Sequence, residues 1–310
     1  MVPNMGILRK YIFQGLTIVF GLLSTPTFAQ VGQIPSWPPN ANGTTGAAFV
    51  GVGDITTGSE GHYGSIAYKA STRGQNMYRI CDASSGGTCT DIASNATTGL
   101  VSSTQAVGSI GTCGTGGNQC YIDKAYDDSG GLNCTGPAVC PALFAGTTRP
   151  KFVVNASGTL PGIGCNATDV LSNGAFTDFA QPFSFLASVS VTSDPGSYYY
   201  AIANGASAGV GIRAGLLPYV FAGAVVDYGS AISSGVFYSL IGKDNNASSS
   251  IIVDGGTAAT GTAGTNTPGT TINICSGSDK YIILEAAIYP SDITADKVAL
   301  SAAMHTNGGY

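Results

Sequence analysis

Gln181–Thr192 reads QPFSFLASVSVT, and the class of fold turns on how this stretch is read. Phe183, Phe185, Ala187, Val189 and Val191 alternate with Ser184, Ser188 and Ser190. Side chains on a strand point to opposite faces with a period of two, so the pattern predicts a half-buried antiparallel strand. Segments of the same character surround it. Lys151–Asn155 precedes it, and Tyr198–Ala203, Val210–Ala214, Tyr219–Val226, Val236–Ile241, Ser250–Val253, Thr271–Cys275 and Tyr281–Tyr289 follow. Gly, Ser and Asn turns separate these runs. Many short strands at close intervals predict two antiparallel sheets packed face to face. The low-complexity run Thr257–Thr270 (TAATGTAGTNTPGT) is expected as a loop within that domain. A short C-terminal helix is expected next, with Thr294 as its cap and Val298, Leu300, Ala303 and Met304 toward the core. Glu60–Ala70 also has helical spacing, since Tyr63, Ile66 and Ala67 fall on one face.

Composition agrees with an all-β reading. Of 310 residues only 9% are charged, 45 are Gly, and Glu occurs only at Glu60 and Glu285. Few helix formers and many turn formers favour strands joined by loops. A net charge of −5, with no basic run beyond the N-terminus, argues against a nucleic-acid partner, which would need clustered Lys and Arg. Residues 1–29 read as a secretory signal peptide: Arg9-Lys10, an apolar Ile12–Leu23, then Thr27-Phe28-Ala29 before Gln30. That apolar run falls short of the ~20 residues of a spanning helix, so no membrane span is expected after cleavage. Residues 30–47 form a Pro- and Gly-rich extended arm with the sole Trp, Trp37, and residues 48–310 form the sandwich domain. The product is expected to be secreted or to stay outside the cytoplasm, at a cell surface or in a periplasm. Asn-x-Ser/Thr at Asn42, Asn95, Asn133, Asn155, Asn166 and Asn246 would carry glycans only in a eukaryotic secretory route.

The chain has 8 cysteines, all beyond the cleavage point. An even number in an exported protein reads as disulfides. Spacing suggests local loops Cys81–Cys89, Cys113–Cys120 and Cys134–Cys140, with Cys165–Cys275 left as a long-range staple. Eight cysteines allow 105 pairings, so spacing alone leaves the alternatives open. With no CxxC and only His62 and His305 as imidazoles, neither a metal nor another cofactor is expected.

Between Gly51 and Pro150 a series of short motifs occurs in order. These are Gly53-Asp54-Ile55, Ala70-Ser71-Thr72-Arg73, the strand Met77–Asp82 (MYRICD), the pair Cys113 and Cys120, Tyr126-Asp127-Asp128-Ser129-Gly130, and Arg149-Pro150. Together they resemble the N-terminal half of the catalytic domain of the α-L-arabinofuranosidase B family, a glycoside hydrolase family. The resemblance runs over roughly residues 48–305. It implies a concanavalin A-like jelly-roll β-sandwich and a carbohydrate ligand.

Glycosidases use two carboxylates flanking the scissile bond, one as acid and one as nucleophile or base. The resemblance implies a Glu nucleophile in a strand and an Asp acid/base in a late turn. Here Val225 stands where the Glu would fall, and Gly223 where its neighbouring Asp would fall. Asp227, two residues beyond Val225, shares its sheet face, and Asp279 sits near the second position, so Asp227 and Asp279 are the candidate catalytic pair. Sugar binding needs aromatic faces and a few hydrogen-bonding groups, for which Tyr198, Tyr199, Tyr200, Tyr219, Tyr228 and Asn204 are plausible, with Tyr199, Tyr219, Tyr228 and Asn204 the chosen candidates. Tyr198-Tyr199-Tyr200 must divide between two faces, so at least one belongs to the core. His62 and Glu285 are read as structural, and Asp127-Asp128 as a turn. The expected function is that of a carbohydrate-directed, glycan-binding sandwich, non-catalytic or catalytically divergent. An active arabinofuranose-releasing hydrolase and a structural surface or fibre component are the alternatives.

Overall fold

The computed structural model describes residues 48–110, 113, 119–129, 142–146, 148–165, 170–173, 176, 178–204, 207–276 and 280–310. The expected signal peptide 1–29, the arm with Trp37, Cys134, Cys140, Asp279, and the sequons at Asn42, Asn133 and Asn166 lie outside these residues.

Strands dominate the described chain. In order they are β1 Gly61–Gly64, β2 Asn76–Cys81, β3 Cys89–Ala93, β4 Cys120–Ala125, β5 Leu143–Ala145 and β6 Lys151–Ser157. Then come β7 Leu160–Gly164, β8 Leu171–Asn173, β9 Phe183–Val191, β10 Tyr199–Asn204, β11 Ala208–Arg213 and β12 Leu217–Phe221. The last are β13 Val225–Asp227, β14 Phe237–Asp244, β15 Ser249–Val253, β16 Ala259–Gly261, β17 Ile272–Ser276 and β18 Tyr281–Tyr289. The helices described are α1 Val52–Ile55, α2 Ser103–Ile110 and α3 Lys297–Gly308. None is long and apolar enough to cross a membrane.

All the strand pairings are antiparallel. One layer runs β16–β15–β14–β9–β18, and β1 and β7 share the far edge of β18. The other runs β3–β2–β4–β5–β8–β17–β10–β11–β12–β13. Strand β6 pairs with β4 on one side and β7 on the other, so the hydrogen-bonded network is continuous and nearly closes on itself. The main apolar core lies between the layers, with Phe185, Val189 and Leu240 from the first and Ile202, Val210 and Val220 from the second. Gly242 lets them approach closely. A Cβ there would lie 2.9 Å from a Val220 methyl and 3.2 Å from one of Val210.

A second cluster sits on the opposite side of the first layer, where Leu186, Ile241 and Ala287 meet Leu300 and Met304 of α3. This explains a departure from the sequence pattern. All of β9 is buried, its serines included. Ser188 Oγ hydrogen-bonds the Tyr310 hydroxyl at 2.7 Å, and Ser184 Oγ donates to the Ser291 carbonyl at 2.8 Å. The alternation identified the strand correctly, but its polar side meets the C-terminal segment instead of water. Buried hydroxyls are tolerated where they find a partner, as those of Ser184 and Ser188 do.

Other local readings are corrected by tertiary contacts. Glu60–Ala70 is not a helix: Gly61–Gly64 is strand β1, paired with Glu285–Ile288. Its apolar residues are buried because the layers cover them, and their 3.6-residue spacing is incidental. Tyr219–Val226 is not one strand but β12 and β13 joined by a turn through Gly223, where φ is +104°. Thr294 opens a 3₁₀ turn bonded to Asp292 instead of capping α3, and Val298 is exposed. The Ser-, Thr- and Gly-rich stretch after Cys81 contains β3 and α2.

Disulfides join Cys81 to Cys89, Cys113 to Cys120 and Cys165 to Cys275. The last closes 110 residues and ties the end of β7 to β17. In the chain-entropy picture a loop of that size costs the unfolded state about 4–5 kcal/mol.

Candidate functional site

The motifs between Gly51 and Pro150 act as clamps. Asp54 accepts backbone N–H bonds from Gly51 and Ala70, both at 2.9 Å. Arg149 binds Asp123 and the Ala83 and Gly86 carbonyls of the β2–β3 hairpin. Asp127 Oδ1 accepts from the backbone N–H groups of His62 (3.0 Å) and Ser129 (2.8 Å), and burial pushes its carboxyl up to about 6. Asp127 also borders a cleft of about 300 Å³ with Gly74, Gln75, Asn76 and Tyr126.

Asp128 completes a sealed polar knot. Its Oδ2 accepts from Tyr68 N–H (2.7 Å) and Thr72 Oγ1 (3.2 Å), while its Oδ1 meets His62 Nδ1 at 2.7 Å. His62 Nε2 lies 3.2 Å from Glu285 Oε2, and all three side chains are fully buried. Burial alone would lower the imidazole's proton affinity. The charge and hydrogen bond of Asp128, followed by those of Glu285, outweigh it and raise the pKa to about 10. This is an imidazolium held between two carboxylates, out of reach of any ligand. It is structural.

The exposed constellation lies on the solvent side of β10–β13. Directly paired residues of antiparallel strands share a face. Tyr200, Gly211, Tyr219 and Asp227 are paired in turn across the four strands, and Ala203, Gly209, Phe221 and Val225 form the adjacent row. Val210, Ile212 and Val220, of opposite parity, face the core. Gly209 is required here, since a Cβ would come within 2.6 Å of Tyr200 Cδ1. Its absence lets the Tyr200 ring lie across β11. The rings form a connected group: Tyr198 meets Tyr219 edge-on at 5.5 Å, and Tyr200 packs at 5.7 Å from Tyr219 and 6.1 Å from Phe221. Arg213 sits 5.5 Å above the Tyr198 ring and forks onto Asp227, Nε to Oδ1 at 2.5 Å and Nη2 to Oδ2 at 2.7 Å. That hydrogen-bonded pair raises the guanidinium's already high pKa.

The structure therefore brings together only some of the predicted residues. Asp227 is on this face, but both its oxygens are engaged by Arg213. Tyr219 is there too, buried beneath Tyr198 and Tyr200, so the rings a ligand can reach are Tyr198 (51% exposed) and the half-buried Tyr200 and Phe221. Tyr199 points the other way and packs against the core, as does Tyr228. Asn204, paired with core residue Ala208, is buried on the inner face, and its Nδ2 has no hydrogen-bond partner among the described residues. Sequence reasoning named Tyr198 and Tyr200 among its candidate tyrosines but missed Phe221 and Arg213. The alternating glycines of Ala208–Arg213 (AGVGIR) were the available signal, because a strand with glycine on one face only must have something lying over that face. Asp244 was also missed. It is fully buried at the end of β14, both oxygens lack partners among the described residues, and burial pushes it up to about 8. Among the described residues no group of three or more His, Cys, Asp or Glu gathers to hold a metal ion.

Neither a protein-family profile nor a curated protein matches this sequence. Solved structures do. An arabinofuranosidase complexed with arabinofuranosyl-α-1,2-xylobiose aligns with a TM-score of 0.62 at 15% identity, over 84% of this chain and 65% of that one. The chain thus spans 65% of that enzyme's length, and the likeness is one of fold. Domain 4 of a GH43 extracellular arabinanase from Geobacillus stearothermophilus, complexed with arabinotriose, gives 0.37 at 10% identity, over 49% of this chain and 81% of that one. A Trypanosoma rangeli sialidase complexed with 2,3-difluorosialic acid gives 0.38 at 10% identity, over 60% and 31%. These two lower scores carry no argument.

Proposed function

We propose that this chain is an exported carbohydrate-binding protein, a divergent relative of the α-L-arabinofuranosidase B family on a concanavalin A-like jelly-roll sandwich, and that it binds glycan without cleaving it. The observation that carries this reading is the composition of the β10–β13 face. It offers open tyrosine and phenylalanine rings, a hydrogen-bonding Arg–Asp fork and a glycine floor. Sugar rings stack their apolar faces on aromatic side chains and direct hydroxyls at fixed polar groups, so such a face suits a saccharide. Its one candidate nucleophile, Asp227, is held on both oxygens by Arg213, and Val225 stands where the resemblance puts the family's Glu. Three cystines support export into an oxidising compartment. The fold likeness to an arabinofuranosidase favours a second reading, hydrolysis of arabinofuranosyl side chains, with Asp227 and Asp279 as the carboxylates.

One experiment separates the two. The protein is passed over immobilised arabinan and arabinoxylan and, in parallel, incubated with an aryl arabinofuranoside. Retention without aglycone release, weakened by Tyr198→Ala, is the expected result. Turnover that disappears in Asp227→Asn or Asp279→Asn would establish the hydrolase instead, and absence of retention on any polysaccharide would overturn the carbohydrate reading.

A further inference from the structure

The tyrosine face is one end of a longer feature. From Val225, hydrogen-bonded partners can be followed strand by strand to Phe221, Gly209, Ala203, Asn273, Ser172 and Phe144, and then to Lys124. Each shares the solvent-side face of the second layer. The row carries two aromatic stations. Phe144 is 47% exposed with Lys124 Nζ 5.1 Å from its ring, and Phe221 lies beneath the Tyr198–Tyr200 group. Between the stations stand only small or short polar side chains, with Ser172 and Asn273 partly exposed. Five strand-to-strand steps separate Phe144 from Phe221, a contour of roughly 24 Å. Ala203 is fully buried and the Tyr200 ring lies over Gly209, so a ligand on this path meets Ser172 and Asn273 and then the Tyr200 ring.

We infer that the ligand is a linear oligosaccharide lying across the strands, with one sugar against Phe144 and another against Tyr198 and Phe221, rather than a single terminal sugar seated on the tyrosines. This rests on the carbohydrate reading above. A lone monosaccharide would use one aromatic station and leave the other without a role. A chain reaches both, and its intervening hydroxyls meet Ser172 and Asn273.

Calorimetric titration of the whole protein with arabino- and xylo-oligosaccharides, from disaccharide to octasaccharide, tests it. Affinity of the wild type should climb with length until both stations are bridged and then level off. Phe144→Ala should lower octasaccharide affinity about tenfold and leave disaccharide affinity unchanged, because the residue is open to solvent and acts only at the far station. Asn273→Trp, which raises a barrier mid-path, should reproduce that selective loss; unchanged melting temperatures confirm folding of both variants. Affinity independent of length, or a Phe144→Ala variant that binds every length as the wild type does, overturns the inference and leaves glycan binding intact. No binding at any length overturns the carbohydrate reading, and the inference with it.

Discussion

The Asp128–His62–Glu285 knot and the Arg213–Asp227 fork are made of the same parts, a cation and carboxylates beside a tyrosine ring. His62 lies 5.3 Å from the Tyr68 ring and Arg213 lies 5.5 Å from that of Tyr198. What separates them is water. The knot has no exposure, so each charge depends wholly on its partners, and removing one strands the others in an apolar interior. The fork is about a quarter to a third exposed, so solvent compensates for much of any loss. Equivalent chemistry is therefore sealed in one place and open to solvent in the other. A charged cluster recognised in sequence does not by its composition reveal which role it has.

His62→Ala tests the comparison most severely. It leaves Asp128 and Glu285 buried without their cation, and should cost about 3–5 kcal/mol in chemical denaturation while the folded fraction retains its glycan affinity. A loss below about 1 kcal/mol would mean that the knot is not the sealed ion cluster described.

The pH dependence of stability follows from the same interior. The folded-state pKa of His62 is raised from 6.5 to about 10, so its stabilisation is complete below about pH 6.5 and is lost as pH climbs through about 10. Asp244 acts in the same direction over a lower window. Burial raises it from 3.8 to about 8, so the folded state binds its proton more tightly and stability falls between those values. Melting temperature should therefore decline from about pH 5 to about pH 9, and Asp244→Asn should flatten the part of that decline below about pH 8. An unchanged slope in that variant would show that Asp244 is not the titrating group.

On the exposed side the effects move from stability to binding. Tyr198→Ala should reduce glycan affinity about fivefold to tenfold, measured by calorimetry, with no detectable change in melting temperature. Arg213→Lys is the mildest change. It keeps the charge but loses the two-pronged geometry, and should alter stability by less than about 1 kcal/mol while weakening binding about twofold to threefold. If Arg213→Lys proved as destabilising as His62→Ala, the contrast between sealed and open clusters would fail.

The motifs that carry the resemblance illustrate the same division. Asp54 is tied to Ala70, Asp128 to Thr72, and Arg149 to the β2–β3 hairpin, so these residues hold the chain's own backbone in place. Residues with such roles are tied to a fold rather than to a reaction. This is why such motifs inform about the scaffold and leave the chemistry of the chain open.

Period-two alternation, turn residues and cysteine spacing are local properties, and they were enough to indicate a β-rich, disulfide-braced chain with a C-terminal helix. Local periodicity could also say that Tyr198, Tyr199 and Tyr200 must divide between faces. It could not say that Tyr199 goes inward, because the β-bulge after Tyr200 and the pairing with Gly211 set that parity. Nor could it show that Ser291 and Tyr310 of the C-terminal segment would meet the serines of β9, or that His62 would meet a glutamate 223 residues away. Burial, partner and proton affinity belong to pairs of distant residues. They come into being only when the layers close and water leaves.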